Sequence, residues 1–171
     1  ERTVYKGLED KARVQLILSG DFEWSRVNRY QLGTMVSALR MRLRGILRED
    51  LGGVYGVSVG SSTSRWPSSE YQVTIGFACG PDQAATLTAA VFSEIERFKR
   101  EGVDSELLEK VIEAQRRQRE TQLKENGFWL RSLRFSYFHD EDPNLLLDQD
   151  GLIDKLSRKK VREAARKYLD E

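Results

Sequence analysis

Arg48 and Tyr55 are the residues of this chain whose types and spacing best suit chemistry. They stand seven residues apart in Leu47-Arg48-Glu49-Asp50-Leu51-Gly52-Gly53-Val54-Tyr55-Gly56, where a helix runs in and a strand runs out. Gly52 and Gly53 between them permit a sharp turn and a close backbone approach. The turn would bring a fixed cation and a phenol to one edge of a sheet. Arginine offers five donors and keeps its charge near neutrality, so it can grip a peptide carbonyl or a terminal carboxylate. A tyrosine hydroxyl is a neutral donor that can meet a developing oxyanion. Neither is a nucleophile, so such a pair would hold and polarise an amide attacked by a group from elsewhere. The same residues also suit a purely structural role, with Tyr55 packing a strand and Arg48 closing a helix.

Other chemistries find less support. Catalytic zinc usually takes three protein ligands from histidine, cysteine and carboxylate. The chain has one histidine, His139, and one cysteine, Cys79, on separate elements. His139 with Asp140 and Asp142 is at best a weak metal site, and reads more simply as a surface loop after a helix. A Ser-His-Asp triad would have to use His139, and no G-x-S-x-G elbow accompanies it. Gly52-Gly53 is too short for a phosphate loop and lacks its lysine. Cys79 continues an apolar strand face and reads as a core thiol.

The length, 171 residues, suits one domain with a sizeable core. With 28 basic against 27 acidic side chains, nothing demands nucleic acid or an acidic membrane as partner. No apolar run approaches the roughly 20 residues of a membrane span. The lone cysteine excludes an internal disulfide and leaves the compartment open, periplasmic or cytoplasmic. The sequence starts at Glu1 without an initiator methionine, which reads as a processed product or an excised piece of something longer.

The elements that would position the pair follow from periodicity. A strand is expected from about Lys11 to Gly20, with Val14, Leu16 and Leu18 on one face. A helix follows from about Trp24 to Arg48, its stripe made of Leu32, Val36, Leu39, Leu43 and Leu47. After the glycines, Val54 to Ser61 reads as a strand. Its small face, Gly56, Ser58 and Gly60, implies that another backbone comes close. A link at Ser61 to Ser69 leads to the alternating strand Glu70 to Cys79. Pro81 opens a helix that Gly102 stops, and Asp104 or Ser105 caps the next, Glu106 to about Glu125. That helix is polar all round in its second half, as on a surface, and Asn126-Gly127 reads as its stop. Phe128 to Phe138 is expected to be helical and to pack Trp129, Leu130, Leu133 and Tyr137. After a break at residues 139–143, a short helix near Asp150 to Leu156 and a last one from Arg158 to Leu169, capped by Ser157, close the chain. The layout is α+β, an antiparallel or mixed sheet covered by helices.

The run Leu39 to Tyr55 resembles the arginine–tyrosine segment of the pitrilysin/insulinase family of zinc metallopeptidases, in which a leucine-rich helix leads into R-E-x-x-G-x-x-Y and a valine and serine strand. The Gly80-Pro81 helix start and the stretch Leu152 to Leu169 are also similar to that family. The resemblance implies repeated α+β domains in two halves facing a closed chamber. One half carries zinc on an inverted H-x-x-E-H motif; the other supplies the arginine and tyrosine. This sequence has no H-x-x-E-H, so it resembles the C-terminal domain of the zinc-free half, inactive alone, with zinc bound by another domain of the same or a companion chain. The resemblance gives Tyr55 and Arg48 catalytic roles on a peptide substrate, with Gly52, Gly53, Val54 and Gly56 lining its binding site. A final strand expected after the closing helix is missing, which implies a trimmed piece or a sheet one strand short. A non-catalytic structural or peptide-binding subunit of the same fold is the alternative. A ferredoxin-like interaction module is disfavoured by the helix-heavy second half.

Overall fold

Strict alternation makes Glu70–Cys79 the middle of the sheet. Tyr71, Val73, Ile75, Phe77 and Cys79 all turn to one side and are buried. In this computed structural model, which describes residues 2–4, 6, 10–50, 54 and 56–170 (the side chains of 49 and 50 aside), three strands form an antiparallel sheet. They are β1 (Ala12–Asp21), β2 (Val57–Ser64) and β3 (Glu70–Cys79), in the order β1-β3-β2. The register stacks like with like. Val14, Phe77 and Val57 form one row across the sheet, and Leu16, Ile75 and Val59 the next. Such cross-strand apolar rows are the unit of sheet stability. The outer face is thinner in apolar groups, and Ile17 is left exposed there.

Helices cover the other face. They are α1 (Arg26–Arg44), α2 (Ala84–Glu101), α3 (Ser105–Gln122), α4 (Asn126–His139), α5 (Gln149–Asp154) and α6 (Arg158–Tyr168). α1 begins two residues later than its periodicity implies, because the Ser25 side chain accepts the Asn28 N–H at 3.1 Å and sets the cap there. Leu32, Met35, Val36, Leu39 and Leu43 then meet the sheet, with α1 lying on β2 and against α6. α2 adds Leu87, Val91, Ile95 and Phe98, and α6 adds Val161, Ala164, Ala165 and Tyr168. Asp104 caps α3 and Ser157 caps α6. Gly102 ends α2 at φ 73°, where a side chain would be strained. The expected α+β class is the one observed.

Several expectations change. β2 starts at Val57 rather than Val54 and runs on to Ser64, since Ser62 to Ser64 continue the ladder opposite Gln72 to Glu70. No neighbour crowds Gly56 or Gly60, so the small face of β2 receives no second backbone there. The close approach lies at Gly76 on the adjacent strand, whose carbonyl accepts from the Ser58 hydroxyl at 3.0 Å. Asn126-Gly127 opens α4 instead of ending α3, which stops through a turn at 123–124. The polar second half of α3 is not wholly on the surface. Arg119 is buried, its guanidinium donating to the Leu146 carbonyl and lying over the Phe128 ring. Of the four residues expected to pack α4 inward, Trp129 is half-buried, but Leu130, Leu133 and Tyr137 are exposed, while Ser136 is buried.

Candidate functional site

α1 does not stop where its α-helical hydrogen bonding stops. Gly45–Asp50 continues it as a π-helical turn, and Arg48 sits within that turn. Gly45 has open space around its Cα and no side chain to resist the change of pitch. Turns of this kind hold one residue more than an α turn and are frequent at functional sites. Leu47 is fully buried and anchors the turn, which leaves Arg48 exposed beside it. Arg48 makes no ion pair with any described residue. Between the π turn and β2, Val54 is buried and Gly56 exposed. Tyr55, Gly52 and Gly53 lie outside the described residues.

Two arginines fix the helix that carries Arg48. Arg40 donates through Nε at 2.8 Å, and through Nη2, to the Val59 carbonyl of β2. Arg42 pairs with Glu94 of α2 through Nε and donates through Nη1 to the Gly102 carbonyl at 2.9 Å. The first ties α1 to β2; the second ties it to the middle of α2 and to the glycine that ends α2. Their fixed partners lie 19 to 60 residues away, beyond the reach of any local pattern.

The two remaining candidates separate. Cys79 is buried in β3, and burial pushes its thiol pKa up, as for a core thiol. His139 is not in a loose surface loop. It closes α4 inside an aromatic group formed with Trp24 at 4.5 Å, Phe135 at 4.3 Å, Phe138 at 4.9 Å and Trp66 stacked parallel at 5.3 Å. Its Nδ1 is buried without a hydrogen-bond partner, and burial pushes its pKa down. Arg65 donates to the His139 carbonyl at 2.6 Å, tying the β2–β3 link to the end of α4. Beside it, Glu141 accepts from Trp24 Nε1 at 3.1 Å and pairs with Arg29 at 2.6 Å. Among the described residues, no three of His, Cys, Asp and Glu converge to hold a metal ion. The donor set here does not fit a three-ligand zinc centre.

Residues 2–115 match the family described as "Peptidase M16 inactive domain". The chain belongs to that family. Over 166 residues this M16 inactive domain is 24% identical to a probable zinc protease PqqL of Haemophilus influenzae, covering 92% of this chain and 18% of that protein. It superposes on the periplasmic protease PqqL of Escherichia coli with a TM-score of 0.80 at 21% identity, covering 94% of this chain and 18% of that one. It also superposes on the first half of the same protease, with a TM-score of 0.69 at 13% identity over 95% of this chain and 36% of that one. The M16 inactive domain thus spans less than a fifth of these relatives, and its fold also occurs in the first half of one of them. The resemblance to the C-terminal domain of the pitrilysin/insulinase family agrees with the family matched. Among the described residues, no helix is long and apolar enough to cross a membrane.

Proposed function

We propose that these residues form one substrate-binding, catalysis-assisting domain of a longer zinc peptidase, with the metal bound by another domain. Arg48 carries the reading. It is an exposed cation unpaired with any described residue, held on a π turn by a buried leucine, in a domain that matches the M16 inactive-domain family. A free guanidinium at a helix end can take a peptide carbonyl or carboxylate in a forked pair. Tyr55 would present its hydroxyl to the carbonyl oxygen as negative charge develops there. Gly52, Gly53, Val54 and Gly56 would bring backbone groups up to an extended peptide, and the start of β2 would form part of a chamber wall. The attacking water and its base would come from the zinc-bearing half, so the domain alone would hydrolyse nothing.

The test is steady-state peptide hydrolysis by the full-length gene product. Tyr55→Phe should lower kcat by about ten- to a thousandfold, the scale of one oxyanion donor. Arg48→Ala should act mainly through KM if it grips the ground-state backbone. Unchanged turnover in Tyr55→Phe would remove the assigned role and leave the domain as a structural or peptide-binding part.

A further inference from the structure

Arg40 is exposed on α1 and free to be hydrated, as Arg44 is, which makes no hydrogen bond or ion pair with any described residue. Yet both Nε and Nη2 of Arg40 are held on one acceptor, the Val59 carbonyl in the middle of β2. Such a bond at the surface orders a long side chain and replaces water on both partners, so its net gain in stability is small. What it fixes is geometry. Two donors on one acceptor set an angle as well as a distance, whereas the buried Leu39 and Leu43 pack without direction. Among the described residues, no other hydrogen bond joins α1 to β2. Arg42 ties α1 to α2 instead.

The bond closes one particular stretch of chain. Arg40 stands eight residues before Arg48, and Val59 four residues after Tyr55, so the tie lies at the base of the segment that carries both. Within that segment Leu47 and Val54 are buried and set its depth in the core. Neither sets how far α1 is slid or turned against β2. We infer that Arg40 is a positioning residue: by fixing α1 on β2 it sets how Arg48 and Tyr55 stand toward one another and toward a bound peptide. The inference rests on the proposed role of that pair. A misplacement of about 1 Å can cost about a hundredfold in rate, so a tie worth little to stability can matter greatly to turnover.

Steady-state peptide hydrolysis by the full-length gene product tests it. Arg40→Met keeps the stem and removes the donors. It should lower kcat by about ten- to a hundredfold while the thermal midpoint stays unchanged. In a Tyr55→Phe background the same change should lose most of its effect on kcat, because the group it positions is gone. Arg40→Lys, with the charge and a single-point donor, should recover part of the loss. Arg44→Met removes a charge nearer to Arg48 in sequence but no tie, and should leave kcat unchanged. Wild-type kcat in Arg40→Met, with Tyr55→Phe impaired, would overturn the inference and leave the proposed site standing. An equal factor in both backgrounds would overturn it in favour of general support of the fold. An equal loss in Arg44→Met would overturn it in favour of net charge. Unchanged kcat in Tyr55→Phe would remove the proposed site, and this inference with it. If Arg40→Met lowers the thermal midpoint, Arg40→Lys decides by the same comparison of backgrounds.

Discussion

Glu94→Gln should destabilise the domain far more than a surface substitution. Glu94 is 6% exposed and its partner Arg42 13%, so the ion pair between α1 and α2 is nearly dry. Removing one member of a buried pair costs about 3–5 kcal/mol, chiefly because the other charge is left without compensation. Two features pull this case to the lower end. The Gly102 carbonyl still accepts from Arg42 at 2.9 Å, and the Phe98 ring still lies 5.8 Å from the guanidinium. Arg97, 3.8 Å from the other carboxylate oxygen and half exposed, contributes little. The expected loss is therefore about 3 kcal/mol, a fall in Tm of roughly 6–12 °C for a domain of this size. Urea unfolding followed by circular dichroism measures it directly. The double variant Arg42→Met, Glu94→Leu should recover most of the loss, since it removes both desolvation penalties and fills the space with apolar groups. A loss below about 1 kcal/mol for Glu94→Gln, or a double variant as unstable as the two single ones combined, would refute the reasoning. The same pair fixes the end of the helix that carries Arg48.

Other outcomes follow from buried groups. Tyr168 is fully buried beside Phe22 and Tyr71, its hydroxyl without a partner and its pKa pushed by burial from 10.0 to about 12. A raised acid pKa in the fold means that stability is intact below about pH 10 and is lost as pH rises toward 12. The loss is about 2–3 kcal/mol, and it should vanish in Tyr168→Phe when urea midpoints are compared across that range. His139 has its pKa lowered by burial, so its contribution is complete above about pH 6.5 and is lost as pH falls through the folded-state pKa. His139→Phe should flatten that acid limb in thermal melts between about pH 7 and 5. Gly102→Ala should cost about 1–3 kcal/mol, since φ is 73° and the added Cβ would lie 3.0 Å from the Cβ of Arg162; an unchanged Tm would contradict this.

What the sequence disclosed depended on whether the signal was local. β3 was legible residue by residue because each alternate position meets the same core, and the Ser157 cap was legible because its partner Lys160 is three residues on. The core role of Cys79 came from the same alternation. The π turn was not legible, because the apolar spacing Leu39, Leu43, Leu47 fits an α-helix equally well. α4 misled for a different reason. Its apolar stripe is real, but periodicity does not say which side the protein lies on. The aromatic group around His139 joins Trp24, Trp66 and Phe135, which no spacing connects. Of the candidate site, the sequence located the helix end bearing Arg48 and missed Arg40 and Arg42, whose partners are brought to them only by the fold.

Arg40 has a consequence for solubility. Among the described residues β2 is an edge strand, and an unsatisfied edge is where chains add to one another and begin to stack into fibres. The Arg40 guanidinium already takes the Val59 carbonyl at the middle of that strand. Any newcomer strand would have to displace a charged side chain and leave it stranded against a hydrogen-bonded ladder. The same side chain that steadies the helix thus occupies an acceptor at the middle of one rim of the sheet.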